Sequence, residues 1–192
     1  MKTKKSCYLA LGDSMSIDYY TGVRGGGAVA QFHKKLGREW YLDDRTEDGC
    51  TMPQVPLDGR APLVTVTIGG NDLLLEQERW VREGLADFAK SHLQLLRRIR
   101  EYNPASVLLV GNVYHPQGPL PEELHSALRQ ANERIAKNIL NVGGELIDIY
   151  SSFLGHEDEY LCLEIEPSLA GATAIANMFV AGASRRGVEL EC

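Results

Sequence analysis

Apolar and polar positions follow two different periods along this chain. Short, nearly continuous apolar runs fall at 6–11 (SCYLAL), 62–68 (PLVTVTI) and 106–112 (SVLLVGN), with weaker ones at 39–43 (EWYLD) and 145–150 (ELIDIY). Runs of that length, rich in Val, Ile and Leu, read as strands buried on both faces. Between them the period lengthens to that of a helix. Ala28 to Leu36 forms a short helix. Trp80 to Tyr102 forms a long amphipathic one, with Val81, Leu85, Phe88, Leu95 and Ile99 along one stripe and Pro104 ending it. Pro121 opens a helix to about Asn141, with Glu122 and Glu123 at its positive end. Pro167 opens the last, which runs to about Ala183.

Strand followed by helix, five times over, implies parallel strands joined by right-handed crossovers, in one domain spanning 1–192. In such sheets ligands sit beyond the carboxyl ends of the strands, so candidate chemistry is read just after each one. The first is followed by Gly12-Asp13-Ser14, the second by Asp48-Gly49-Cys50-Thr51, the third by Gly69-Gly70-Asn71-Asp72 and the fourth by Asn112-Val113-Tyr114-His115. The stretch from Ser151 to Glu166 follows the fifth. Alone, Ser14 could be a helix cap and Gly69-Gly70-Asn71-Asp72 a plain turn. Together, the Ser14 and Gly49 N–H groups and the Asn71 amide are the donors that acyl transfer needs around a developing oxyanion. Asp13 reads as an acceptor for backbone N–H groups that also borders the groove. Asp18, Tyr114 and His115 are further candidates to line it.

Composition narrows the class. The 192 residues carry a net charge of −6 and are 44% hydrophobic, which excludes a disordered or fibrous chain. The cluster Arg97-Arg98-Arg100 falls on a helical pattern and reads as a solvated face, so no nucleic-acid partner is expected. No run approaches the roughly 18 apolar residues of a membrane span, and the apolar stretch after MKTKK is too short for a secretory signal. These features predict a cytoplasmic protein without a membrane partner. Cys7, Cys50, Cys162 and Cys192 lack metal-site spacing and read as reduced thiols. Neither a metal nor a cofactor is expected. Arg24-Gly25-Gly26-Gly27 lacks the Gly-Lys-Ser/Thr ending of a phosphate loop and reads as a flexible lip over the cleft. No glycine fingerprint follows the first strand, which disfavours a flavin or nucleotide binder.

GDSMS at 12–16, the glycine of TEDGCT at 46–51 and TIGGND at 67–72 resemble, in order and spacing, the first three signature blocks of the SGNH (GDSL-type) hydrolases. The resemblance implies a flavodoxin-like three-layer α/β/α fold with a five-stranded parallel sheet. It implies metal-free serine hydrolysis of a small or medium ester, with Ser14 as nucleophile. It assigns Ser14 N–H, Gly49 N–H and the Asn71 side chain to the oxyanion hole.

The last block departs from the family. Where the family carries Asp-x-x-His-Pro, this chain has Leu163-Glu164-Ile165-Glu166-Pro167. Three readings follow. Glu166 could be the base itself, although a carboxylate at the start of a helix is held in its ionised form and is a weak proton acceptor. His156, in FLGHEDEY, could fold back as the base with Glu166 orienting it, and this is the favoured expectation because imidazole titrates near neutrality. His115 is a less suited substitute. Or the chemistry is lost and the crevice binds a ligand.

Overall fold

The computed structural model describes residues 5–191; Met1–Lys4 and Cys192 lie outside the described residues. Five parallel strands form one sheet: β1 (Ser6–Gly12), β2 (Trp40–Thr46), β3 (Leu63–Thr67), β4 (Val107–Gly111) and β5 (Glu145–Ile147). Their order is β2-β1-β3-β4-β5, the flavodoxin-like arrangement. The expected α/β/α class is therefore what the chain adopts.

Alternation along the strands sorts the core into two halves. Tyr8 and Ala10 of β1 face α1 (Ala28–Leu36) and α8 (Leu169–Arg185), where Phe32 and Phe179 pack at 5.6 Å between ring centres. Leu9 and Leu11 face the other way, onto α4 (Ala86–Tyr102) and α5 (Glu122–Asn141), among Leu96, Ile99, Ala131 and Ile135. Buried hydroxyls in and beside the sheet pair off: Tyr8 Oη with Thr65 Oγ1, and Ser16 Oγ with Thr67 Oγ1, each at 2.8 Å. Both pairings spare a buried polar group the cost of desolvation without a partner.

Four element boundaries differ from the sequence pattern, the first being β2, which runs past the expected Asp43 to Thr46. The helix expected from Trp80 to Tyr102 is divided. After α2 (Gly70–Leu75), α3 (Gln77–Glu83) ends at Gly84, whose φ of 79° lets its N–H close on Trp80 O at 2.9 Å; α4 begins afresh at Ala86. Val81 is accordingly exposed, off the core stripe. The last strand stops at Ile147 because the Asp148 carboxylate accepts from Ser151 N and caps α6 (Ile149–Phe153). The final helix starts after Ser168, whose hydroxyl accepts from Gly171 N, and not at Pro167. Pro167 belongs instead to a small antiparallel hairpin, β6 (Leu161–Cys162) with β7 (Glu166–Pro167), which follows the short α7 (Glu157–Tyr160).

The glycine-rich stretch before α1 is anchored and does not form a free lip. Asp18 accepts from Gly25 N at 2.5 Å and Gly27 N at 2.8 Å. Cys7, Cys50 and Cys162 are free thiols. Among the described residues no helix is long and apolar enough to cross a membrane.

One buried group makes the α4–α5 interface pH-sensitive. His92 is fully buried, stacks on Phe88, and leaves Nε2 without a hydrogen-bond partner. Burial pushes its imidazole down to about 4 from 6.5. A depressed His binds its proton in the unfolded chain first, so stability is complete above about pH 6.5 and is lost as pH falls toward 4. Relative to His92→Leu, the wild type should lose about 3 kcal/mol of unfolding free energy between pH 7 and 4. Chemical denaturation of both proteins across that range measures the difference.

Candidate active site

The site forms where β1 and β3 end side by side. Gly12 pairs with Thr67 across the two strands, and a Cβ at Gly12 would lie 1.8 Å from Thr67 O. Only glycine, at φ 132°, lets the chain cross there. Asp13 N then donates to Thr67 O at 2.9 Å, and the Asp13 carboxylate accepts from Met15 N at 3.2 Å. That cap starts a single 3₁₀ turn, Ser14–Ser16, and sets Ser14 at its N-terminus, half-buried, between the sheet and the crevice. Asp13 itself is 1% exposed, and burial holds its carboxyl well above the usual range.

The block after β3 is bound to the block after β2. Asn71 Nδ2 donates to Cys50 O at 3.0 Å, and the Asp72 carboxylate accepts from Met52 N at 3.2 Å. These bonds fix the amide of Asn71 and the turn containing Gly49, which has φ 70°. The N–H groups of Ser14 and Gly49 donate to no protein acceptor among the described residues. Asp72 reads from the sequence only as part of the block after β3, with no role of its own. Its neighbour Asn71 carried the family signal, and the bond to Met52 joins segments 20 residues apart.

Glu166 comes to Ser14 by way of the β6–β7 hairpin. Its side chain is 8% exposed, and Oε2 is buried with no hydrogen-bond partner. Burial raises its carboxyl above the ordinary carboxylate range, the Ser14 hydroxyl beside it lowers it, and the charge of Asp48 raises it again. The strand that carries Glu166 packs against the Ser14–Ser16 turn. The environment expected for Glu166 therefore needs correction. It lies in a short strand ahead of the Ser168 cap, and desolvation outweighs any helix field.

His156 is placed elsewhere. It precedes α7 with more than half of its side chain exposed, stacks on Tyr160 at 5.2 Å and faces Glu159 at 3.9 Å. Among the described residues it makes no hydrogen bond, ion pair or ring contact with Ser14 or Glu166. His115 likewise turns away: Nδ1 lies 2.7 Å from Pro116 O and its ring meets His125. Asp18 is committed to the backbone of Gly25 and Gly27 and does not border the crevice. Leu163, at the position of the family's acid, is 73% exposed at the hairpin tip and supplies no polar group.

Beside Ser14 opens a cavity of about 110 Å³ with an apolar lining. Leu73, Trp80, Val113, Leu124, Leu128 and Ile165 build most of its wall, and Asp13, Asn71 and Tyr114 border it. Tyr114 also donates to Ile165 O at 2.6 Å. The helical walls were invisible in the sequence as a site, because α2, α3 and α5 contribute residues that read simply as core.

Comparison with known proteins gives the family and the fold. The GDSL-like lipase/acylhydrolase family matches residues 10–174. No curated protein sequence matches the chain. Among solved structures, the lipase Lip_vut3 from a goat rumen metagenome is 24% identical, covers 93% of this chain and 97% of its own, and superposes with a TM-score of 0.76. The acetylxylan esterase Axe2 of Geobacillus stearothermophilus is 14% identical, with coverages of 95% and 96% and a TM-score of 0.71. Phospholipase A1 of Streptomyces albidoflavus is 20% identical, with coverages of 93% and 100% and a TM-score of 0.68. At these identities the likeness is one of fold, and the family match, over most of the chain, carries the assignment. The chain belongs to the GDSL-like lipase/acylhydrolase family, and its general class is that of an ester hydrolase.

Proposed function

We propose that the protein hydrolyses carboxylic esters with an apolar acyl group through a Ser14 acyl-enzyme, with Glu166 as the general base. The observation that carries this reading is the buried Glu166 carboxyl beside the Ser14 hydroxyl, kept with one oxygen unpartnered. An unsatisfied buried oxygen costs about 1–3 kcal/mol, and a fold that retains one at a crevice marks a working group. Burial also remedies the weakness of a carboxylate as a base, because it raises proton affinity toward the working pH.

The steps balance without a metal. As Ser14 Oγ attacks the ester carbonyl, its proton passes to Glu166. The oxyanion is received by the N–H groups of Ser14 and Gly49 and by the Asn71 amide. Protonated Glu166 returns the proton to the departing alkoxide, leaving the acyl group on Ser14. Water then repeats the sequence, with Glu166 again taking the proton, and the carboxylic acid leaves.

The acyl side follows from the cavity. It is somewhat smaller than the roughly 150 Å³ apolar cavity that admits benzene, so it suits an acyl chain of about four to six carbons.

Three outcomes test this reading. Ser14→Ala should lose both ester turnover and covalent labelling by an organophosphonate probe, read by mass spectrometry, and Asn71→Ala should lower kcat about 100- to 1,000-fold. Absence of labelling in the wild type with several probes would instead favour a ligand-binding role. Activity should fall with acid as Glu166 takes its proton, with the limb lying above the ordinary carboxylate value near 4.3; Glu166→Gln should be inactive and His156→Ala nearly normal. Finally, kcat/KM on p-nitrophenyl esters should climb about three- to fourfold per methylene from acetyl until the cavity is full. Ala127→Leu, which narrows the cavity wall, should cut hexanoate turnover and spare acetate; a flat chain-length profile would rule out this pocket as the acyl site.

A further inference from the structure

The base of this site sits on a hairpin whose backbone is unusual. Between β6 and β7 the chain turns through Leu163 at φ 49° and Glu164 at φ 70°, the two non-glycine residues with positive φ among those described. Ile165 N closes on Leu163 O at 2.9 Å. Left-handed backbone is unfavourable for residues with a Cβ, and it persists only where surrounding contacts over-determine it. Packing does not supply those contacts at the tip, since Leu163 and Glu164 are exposed.

Hydrogen bonds from one residue supply them. Gln117 lies in the loop after β4. Its backbone N–H donates to Glu164 O at 2.7 Å, and its side-chain Oε1 accepts from Glu164 N at 3.2 Å. Its Nε2 donates to Leu161 O at 3.2 Å and to Glu157 O at 3.3 Å. One amide thus grips the first strand of the hairpin and its tip together, and ties both to α7, which leads into it. Tyr114, three residues earlier, adds the bond to Ile165 O at 2.6 Å, next to Glu166.

We propose that Gln117, assisted by the Tyr114 hydroxyl, is a positioning residue that clamps the β6–β7 hairpin and holds the Glu166 carboxyl against Ser14. The proposal rests on Glu166 being the base. In the related family a second side chain orients the catalytic group, and here Leu163 at that position cannot. The clamp does the same work through the main chain: it fixes the backbone on which the carboxylate is carried. Because β4's exit loop also borders the acyl cavity through Val113 and Pro116, base and acyl pocket share one support.

The test compares Gln117→Met, which keeps length and removes both side-chain donor and acceptor, with wild type and Glu166→Gln. Gln117 does not line the cavity, so KM for a butanoyl ester should change little while kcat falls about 10- to 100-fold, the cost of a misplaced reacting group. The acidic limb of the pH profile should also move to lower pH, because a loosened hairpin admits water to the carboxyl that burial had raised. The titratable groups facing Glu166, namely Asp13, Tyr20, Asp48, Tyr114 and Cys162, are unchanged in this variant. A lower melting temperature with unaltered kcat and acidic limb would make Gln117 merely structural and overturn the proposal. Should Gln117→Met fail to fold, Tyr114→Phe decides the matter, with the same fall in kcat and acid shift expected and their absence overturning it. If Glu166→Gln keeps full activity, the base assignment itself fails, a result distinct from a normal Gln117→Met beside an inactive Glu166→Gln.

Discussion

The parallel pairing of β1 with β3 is the constraint on which the site depends. Successive connections run to opposite sides of that pair, β1 leading out to β2 and the later strands building away through β4 and β5. A crevice is left where the order reverses. The pair must be tight for the exits of both strands to share it, and Gly12 makes it so by lying against Thr67 O without a side chain. The Ser16–Thr67 bond and the Asp13 cap then translate strand register into the position of Ser14. A residue larger than glycine at 12 would push the Ser14 turn off Thr67 and dismantle the crevice from its base.

The second constraint is electrostatic. Glu166 is buried, the charge of Asp48 further disfavours its ionised form, and its own charge helps hold the Asp13 carboxyl above the usual range. No cation balances it in the contacts described, so the site carries an energetic cost that the surrounding fold has to offset. The hairpin, the Ser168 cap with its bond to Glu159 O at 2.7 Å, and the close approach of Gly171 to Tyr160 O provide the rigid frame. In the proposed mechanism the same desolvation that costs stability raises the proton affinity of the base. In that mechanism the apolar cavity extends the dry environment to the acyl group.

The replacement of a histidine by a glutamate changes more than one side chain. An imidazole needs a partner to set its tautomer and ring plane. A carboxylate needs only placement and desolvation. That difference fits the exposed Leu163, which offers no partner, and a backbone clasped from the β4 loop. His156 is left to its surface contacts with Tyr160 and Glu159.

The strand positions, their parallel order and the location of Ser14, Gly49 and Asn71 beyond strand ends were legible in the sequence, because each depends on local periodicity and on glycines next to the residues concerned. The split of the long helix at Gly84 was legible in principle too, since a glycine within a helical pattern can act as a C-cap. What only the tertiary structure decided was the surroundings of Glu166 and His156. Pro167 read locally as a helix start, yet the Ser168 hydroxyl, bonded to Glu159 O and capping Gly171 N, moved that start onward and freed Glu166 for a hairpin strand. The clasp by Gln117 joins residues 40 to 47 positions apart, and the cavity gathers side chains from the Ser14 turn, α2, α3, α5, the loop after β4 and the β6–β7 hairpin. Burial, and with it proton affinity, is a property of those distant neighbours and is not written in the residues adjoining Glu166.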